Sequence, residues 1–210
     1  MMIRHHLTEQ LLIAYAAGNL PEAFSLIAAT HISLCDECRA LLQGYEAVGG
    51  AILEAAAEPL ADGSLERVMA KLGDRNTAPP AFQRGSLPTP VADYVGGGLD
   101  AVKWRSLGLG VKQAILATSR SASARLLFIP AGQAVPDHGH RGMELTLVLQ
   151  GAFRDATDRF GPGDLEIADE TLEHTPTAEP GDACICLAAT DAPLRFTSLI
   201  PRLLQPIFRI

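Results

Sequence analysis

The feature that most limits how this chain can fold is a change of texture between Asp74 and Pro90, DRNTAPPAFQRGSLPTP. Proline, polar residues and the lack of an apolar period make this stretch an extended connector rather than a helix or strand. Before it, apolar residues recur at helical spacing; after it, they come in short runs separated by Gly, Pro, Asp and Ser. The chain therefore reads as a helical unit in 1–74, a linker in 75–90 and a strand-rich unit in 91–210. A hydrophobic content of 48% is enough for a core in each.

Four helices are predicted before the linker. Thr8 caps TEQLLIAYAAG, which Gly18 stops, and Pro21 opens PEAFSLIAATHIS. A third helix runs from Asp36 through RALLQGYEAVGGAILEAAA, where Gly49-Gly50 weakens the middle and marks a bend. The fourth is SLERVMAKLG, from Ser64 to Gly73. Beyond the linker, VKQAILATS, ARLLFIP, ELTLVLQG, DACICLAAT and LRFTSLI have the length and composition of strands. Their spacing predicts an antiparallel sandwich or small barrel, whose interior lets ligands from several strands converge.

Two groups of metal-binding residue types stand out. His31, Cys35 and Cys38 form H-x3-C-x2-C, and the three-residue step between the cysteines puts both thiols on one side of a starting helix. A fourth ligand must come from elsewhere, and spacing alone leaves His5 and His6 equally eligible. Two thiolates and two imidazoles would make a closed, neutral zinc site that staples a small helical unit. A C-x-x-C redox pair is disfavoured, since no strand precedes it, and the polar neighbours Asp36, Glu37 and Arg39 argue against a merely buried pair.

The second group lies in GQAVPDHGHRGMELTLVLQG, Gly132 to Gly151. His138, His140 and Glu144 are separated by even steps, so in extended chain all three point to one face. His174, in EHTP, can join them from a neighbouring strand. Three imidazoles and a carboxylate suit a borderline divalent metal such as Zn, Fe, Mn or Ni. Ordinary surface histidines beside a turn are the competing explanation, and the number of groups in register weighs against it.

A formal net charge of -7 disfavours a phosphate-binding surface, so any nucleic-acid role would run through a protein partner. No apolar run approaches a membrane span, and MMIRHHLTEQ lacks a signal-peptide core, so a cytoplasmic protein is expected.

The run HLTEQLLIAYAAGNLPEAFSLIAATHISLCDECRALL resembles the zinc-binding anti-sigma domain. GQAVPDHGHRGMELTLVLQG matches the first cupin motif, G-x5-H-x-H-x3-E-x6-G, at each fixed position. In this order, and with GPGDLEIADE, EHTP, CICLAATDAPLRF and PRLLQPIFRI, they resemble the ChrR family of cupin-containing anti-sigma factors from end to end. The resemblance implies an all-α, zinc-bound anti-sigma unit followed by an antiparallel β cupin barrel. It implies zinc ligands at His6, His31, Cys35 and Cys38, choosing His6 over His5, and a cupin metal, also zinc, on His138, His140, Glu144 and His174. Pro162-Gly163-Asp164 precedes His174 by a longer stretch than in generic cupins, which blocks transfer of reactions from catalytic cupins.

The implied function is control of an extracytoplasmic-function-type sigma factor, held in a 1:1 complex and released when singlet oxygen or related oxidants appear. Leu11, Leu12, Tyr15, Leu41 and Leu42 are candidate contacts, each better explained as core. Cys184, Cys186, Met143 and Trp104 are candidate oxidation targets, although the cysteines read at least as well as small apolar core residues. The alternatives are a metal-dependent cupin dioxygenase or isomerase, with only Arg141, Asp169 and Glu173 as extra polar groups, and a C-x-x-C oxidoreductase.

Overall fold

The computed structural model describes residues 2–72, 87–139 and 141–193, and the backbone of 195–196. Most of the expected linker, His140, the end of LRFTSLI and the run PRLLQPIFRI lie outside the described residues.

The four predicted helices form; Pro21 stands just before the second rather than in its first turn, and Gly73, the expected stop of the fourth, lies outside the described residues. In α1 (Glu9–Ala16) the Leu11 N–H donates to the Thr8 hydroxyl at 3.3 Å, and the chain leaves through Gly18 at φ +69°. Helix α2 (Glu22–Leu34) is apolar on most sides, burying Phe24, Leu26, Ile27, Ala28 and Ile32, because it lies between the other helices and a sheet. Helix α3 (Asp36–Ala55) continues unbroken through Gly49-Gly50. Nothing packs within 4 Å of a Cβ built at either glycine, so no tertiary contact exploits the weak point. The short α4 (Ser64–Leu72) buries no residue.

A further helix, α5 (Thr89–Val95), starts inside the stretch expected to be extended. Pro88 caps it and Pro90 sits in its first turn, where a missing N–H costs nothing. Its Val91 and Ala92 are buried, and it packs against α2.

Among the described residues twelve strands follow, all paired antiparallel: β1 (Arg105–Gly108), β2 (Val111–Leu116), β3 (Ser123–Ile129), β4 (His138–Gly139), β5 (Glu144–Gln150), β6 (Phe153–Arg154), β7 (Arg159–Phe160), β8 (Leu165–Ala168), β9 (Glu173–His174), β10 (Thr177–Ala178), β11 (Cys184–Thr190) and β12 (Arg195–Phe196). The large sheet has the order β1-β2-β3-β11-β5-β8, and two three-stranded sheets, β10-β6-β7 and β12-β4-β9, complete the barrel. The long runs fall where the sequence predicts them; the two-residue strands are too short to carry a period.

Both faces of the large sheet are buried, which explains why its central strands are apolar almost throughout. Leu126, Leu145, Leu147, Leu187 and Ala189 point outward and join Phe24, Ile27 and Ala28 of α2 in one continuous core. The alternate residues Val148, Cys184 and Cys186 point into the barrel and pack with Phe153 and Phe160 of the smaller sheet. At the sheet edge, the Leu165 N–H of β8 donates to the His5 carbonyl at 3.2 Å, so the segment preceding α1 lies along the barrel.

Candidate metal centres

Cys35 and Cys38 sit at the junction of α2 and α3. Cys35 occupies the cap position of α3, and the Cys38 N–H points at its sulfur at 3.5 Å. One turn earlier on α2, His31 brings its Nε2 to 3.3 Å from the Cys38 sulfur. From the N-terminal segment, His6 places Nδ1 3.3 Å from the Cys35 sulfur and 3.7 Å from that of Cys38. These separations match a zinc ion's needs. Zn–N and Zn–S bonds of about 2.0 and 2.3 Å at a tetrahedral angle place the two ligand atoms roughly 3.5 Å apart. All four ligand atoms lie within 4.8 Å of one another, and His31, Cys35 and Cys38 are buried.

The second ring nitrogens are also engaged. His31 Nδ1 donates to the Gly163 carbonyl at 3.0 Å, which fixes the tautomer and leaves Nε2 unprotonated toward the sulfurs. His6 Nε2 lies 3.6 Å from a Glu37 carboxylate oxygen. Burial lowers the His31 pKa to about 4, so its ring is neutral at pH 7, as a ligand must be. Burial, together with Cys35 and Glu37 nearby, pushes the Cys38 thiol up to about 11. A bound divalent cation is what would deprotonate it there. His5 belongs elsewhere: its Nε2 lies 3.1 Å from Asp158 and its ring packs at 4.5 Å on Phe160.

Inside the barrel, β4 and β9 place His138 directly opposite His174, with ring centroids 4.8 Å apart. His138 Nδ1 donates to the Pro136 carbonyl at 2.8 Å, and burial lowers its pKa to about 4. Glu144 opens β5, a strand of the large sheet, whereas His138 stands on β4 of a smaller one. Burial raises its carboxyl to about 7, against the pull of Arg125 and the Thr146 hydroxyl. His140 lies outside the described residues.

Two carboxylates went unforeseen. His174 Nδ1 donates to Asp155 at 2.8 Å and lies 3.2 Å from Glu166, and all three side chains are withdrawn from water. Burial opposes a charge on His174, but the Glu166 and Asp155 carboxylates outweigh it and raise the pKa to about 9. Desolvation likewise works against the Asp155 charge, yet hydrogen bonds from Thr157 and His174 hold its carboxyl well below the usual range. Carboxylates on one ring nitrogen, with the other directed elsewhere, form the arrangement that orients metal-binding histidines. Asp155, Glu166 and His174 have ligand atoms within 4.8 Å of one another and could themselves hold a cation. A trace of this was legible in LEIA, where alternation sends Glu166 to the face opposite Leu165 and Ile167, into the barrel.

The candidate oxidation targets divide by location. Cys184 and Cys186 are buried in the barrel with sulfurs 3.4 Å apart, on the same side as Glu144 and Glu166. Trp104 and Met143 are partly buried, Trp104 making an edge contact with Phe128. Of the residues weighed as partner contacts, Leu11, Leu12 and Leu42 are core, Tyr15 is partly buried and Leu41 is exposed. Val48, Ile52 and Leu53 on α3, and Leu65, Val68, Met69 and Leu72 on α4, are each more than half exposed.

Residues 95–193 match the family described as the ChrR cupin-like domain. Over 214 aligned residues, covering 100% of both chains, the sequence is 64% identical to the anti-sigma-E factor ChrR of Cereibacter sphaeroides. A crystal structure of Rhodobacter sphaeroides SigE in complex with the anti-sigma ChrR matches with a TM-score of 0.79 and 62% identity, over 90% of this chain and 100% of that one.

Proposed function

The chain belongs to the ChrR family of anti-sigma factors, and from that premise we propose that it binds and inhibits an extracytoplasmic-function-type sigma factor. The observation that carries the surface is α4. Leu65, Val68, Met69 and Leu72 follow i, i+3, i+4, i+7 spacing, form one apolar face and cover nothing in the described fold. With Val48, Ile52 and Leu53 of α3 they offer an amphipathic helical surface of the kind that lies in a partner's groove. The acidic chain makes no claim on DNA, and no described helix is long and apolar enough to cross a membrane. We place the protein in the cytoplasm, where a sigma factor works.

His6, His31, Cys35 and Cys38 would hold zinc as a closed structural site that fixes the start of α3. In the barrel, His138, Glu144 and His174, with His140, would hold a second ion, again assigned as zinc, with Asp155 and Glu166 orienting His174 from behind. The barrel is the signal-response part of this reading, releasing the sigma factor under singlet oxygen or related oxidants. A regulator of this family has no need of turnover at the barrel ion, so a cupin dioxygenase or isomerase is not favoured.

Co-purification with an extracytoplasmic-function-type sigma factor of the same organism tests the reading. A 1:1 complex is expected for the wild type, and its absence would overturn the function. Val68→Asp with Leu72→Asp is expected to abolish the complex while metal content and thermal midpoint hold. A complex of unchanged affinity would move the surface away from α4.

A further inference from the structure

The helical metal cluster is finished by atoms that belong to the barrel. The turn between β7 and β8, Gly161 to Leu165, touches one of that cluster's ligands, His31, and the segment that leads into another, His6. The Gly163 carbonyl accepts from His31 Nδ1 at 3.0 Å. The Leu165 N–H donates to the carbonyl of His5, the residue immediately before His6, at 3.2 Å. Asp164, only 4% exposed, accepts from the backbone N–H of Arg4 at 2.6 Å and of His5 at 3.1 Å, and with its other oxygen from Gly161 at 2.8 Å. Asp164 therefore clamps the N-terminal segment and its own turn together. The segment it clamps delivers His6 to the thiols, and the carbonyl beside it sets the tautomer of His31.

We propose that Asp164 is a positioning residue for the helical zinc site, and that the β7–β8 turn makes zinc affinity at His6, His31, Cys35 and Cys38 depend on the barrel staying docked against the helices. The inference rests on the zinc assignment above and goes beyond it. Cys35 and Cys38 are placed by α3 itself, one at its cap and one in its first turn. The two histidines are the ligands whose aim is set from outside, one through its ring and the other through its backbone neighbour. Separating the turn from the helices removes both constraints at once. By linkage the dependence is reciprocal: zinc in the helical site favours the docked turn to the same degree that the docked turn favours zinc. A change in the barrel that draws the turn away thus loosens the helical ligand set without altering any ligand.

Cobalt substitution in the full-length protein reads this site alone, because only the helical set contains thiolates and only it gives a thiolate-to-cobalt charge-transfer band. Cobalt binding followed by zinc competition should show Asp164→Ala weakening the helical site roughly tenfold or more. Asp164→Asn, which keeps one acceptor oxygen, should recover part of that loss. Equal affinity in wild type and Asp164→Ala would overturn the proposal. Should Asp164→Ala fail to fold, hydrogen exchange in the wild type decides. Chelating the helical zinc should speed exchange of the Leu165, Arg4 and His5 amides, and unchanged protection at those amides refutes the coupling. A wild type that binds cobalt without any thiolate band is a different failure: it removes the zinc assignment itself, and the positioning role with it.

Discussion

The helical cluster takes its groups from the end of α2, the start of α3 and the segment before α1, whereas the barrel cluster gathers His138, Glu144, Glu166 and His174 from four different strands. Two sulfurs and two nitrogens fill every position of a tetrahedral ion and leave none for a ligand. The proposed barrel ligands His138, Glu144 and His174 offer only nitrogen and oxygen. On the far side of His174 the barrel opens to a cavity of about 430 Å³ lined by Asp137, Arg154, Asp155, Glu173, His174 and Thr175. The helical cluster closes on itself, while the barrel cluster borders that cavity through His174 and Asp155. The contrast matches the proposed staple and the proposed responsive site, and it can be broken at either end.

Removing the staple should have the largest effect. Cys38 is fully buried and its sulfur meets both His6 and His31. Cys38→Ser should abolish the thiolate–metal signal, destabilise the protein by more than about 3 kcal/mol and remove sigma binding, since structural zinc contributes folding free energy directly. Metal analysis with thermal unfolding checks it, the barrel metal being retained. A variant as stable as wild type would mean that the closed cluster is not structural.

Next in size is the responsive end. The Asp155 side chain is withdrawn from water and braces both His174 and the turn through Thr157 and Asp158. Asp155→Ala should cost about 1–3 kcal/mol, the range for stranding a buried polar partner. Barrel metal affinity should fall by roughly 10- to 100-fold while the thiolate signal persists. Loss of that signal instead would show that the two clusters do not act separately.

The two clusters also differ in how much of them could be read beforehand. H-x3-C-x2-C is local: helix geometry alone brings Cys35 and Cys38 together, and only His6 against His5 needed more than spacing. The barrel site is non-local. The parity of His138 and Glu144 was visible, but the two stand on strands of different sheets, so their approach rests on how the barrel closes as well as on parity. Asp155 and Glu166 were missed because their partner is reached only through pairing that no single segment encodes. The docking of α2 on the large sheet was hidden for the same reason, although the nearly unbroken apolar character of CICLAAT already demanded burial on both faces.

Acid and alkali should separate the clusters in metal-free protein. His174 has its pKa raised to about 9, so its contribution is complete below its ordinary value of 6.5 and is lost as pH rises through about 9. Glu144, raised to about 7, acts in the same sense over a lower window. His31, lowered to about 4, works oppositely: its contribution is intact above 6.5 and is lost as pH falls toward 4. Thermal midpoints measured between pH 7 and 9 should fall by a few degrees in the wild type, and His174→Gln should flatten that slope. A slope that survives the substitution would assign the alkaline loss to other groups.

The smallest effect tests the part of the helical unit farthest from its staple. Gly49 and Gly50 sit mid-helix in α3, a Cβ at either meets nothing within 4 Å, and neither has a positive φ. Alanine fits that backbone and narrows the unfolded ensemble, so Gly49→Ala and Gly50→Ala should each stabilise the protein by about 0.5–1 kcal/mol. Val48, Ile52 and Leu53 flank the pair on the proposed sigma-binding surface, which makes the binding measurement the sharper half of the experiment. Unchanged or improved sigma affinity in the stabilised variants means that the unbroken helix is the form the partner takes. Stabilisation accompanied by weaker binding would mean that the complex needs the helix to yield at the glycines, so that the weak point serves the partner rather than the fold.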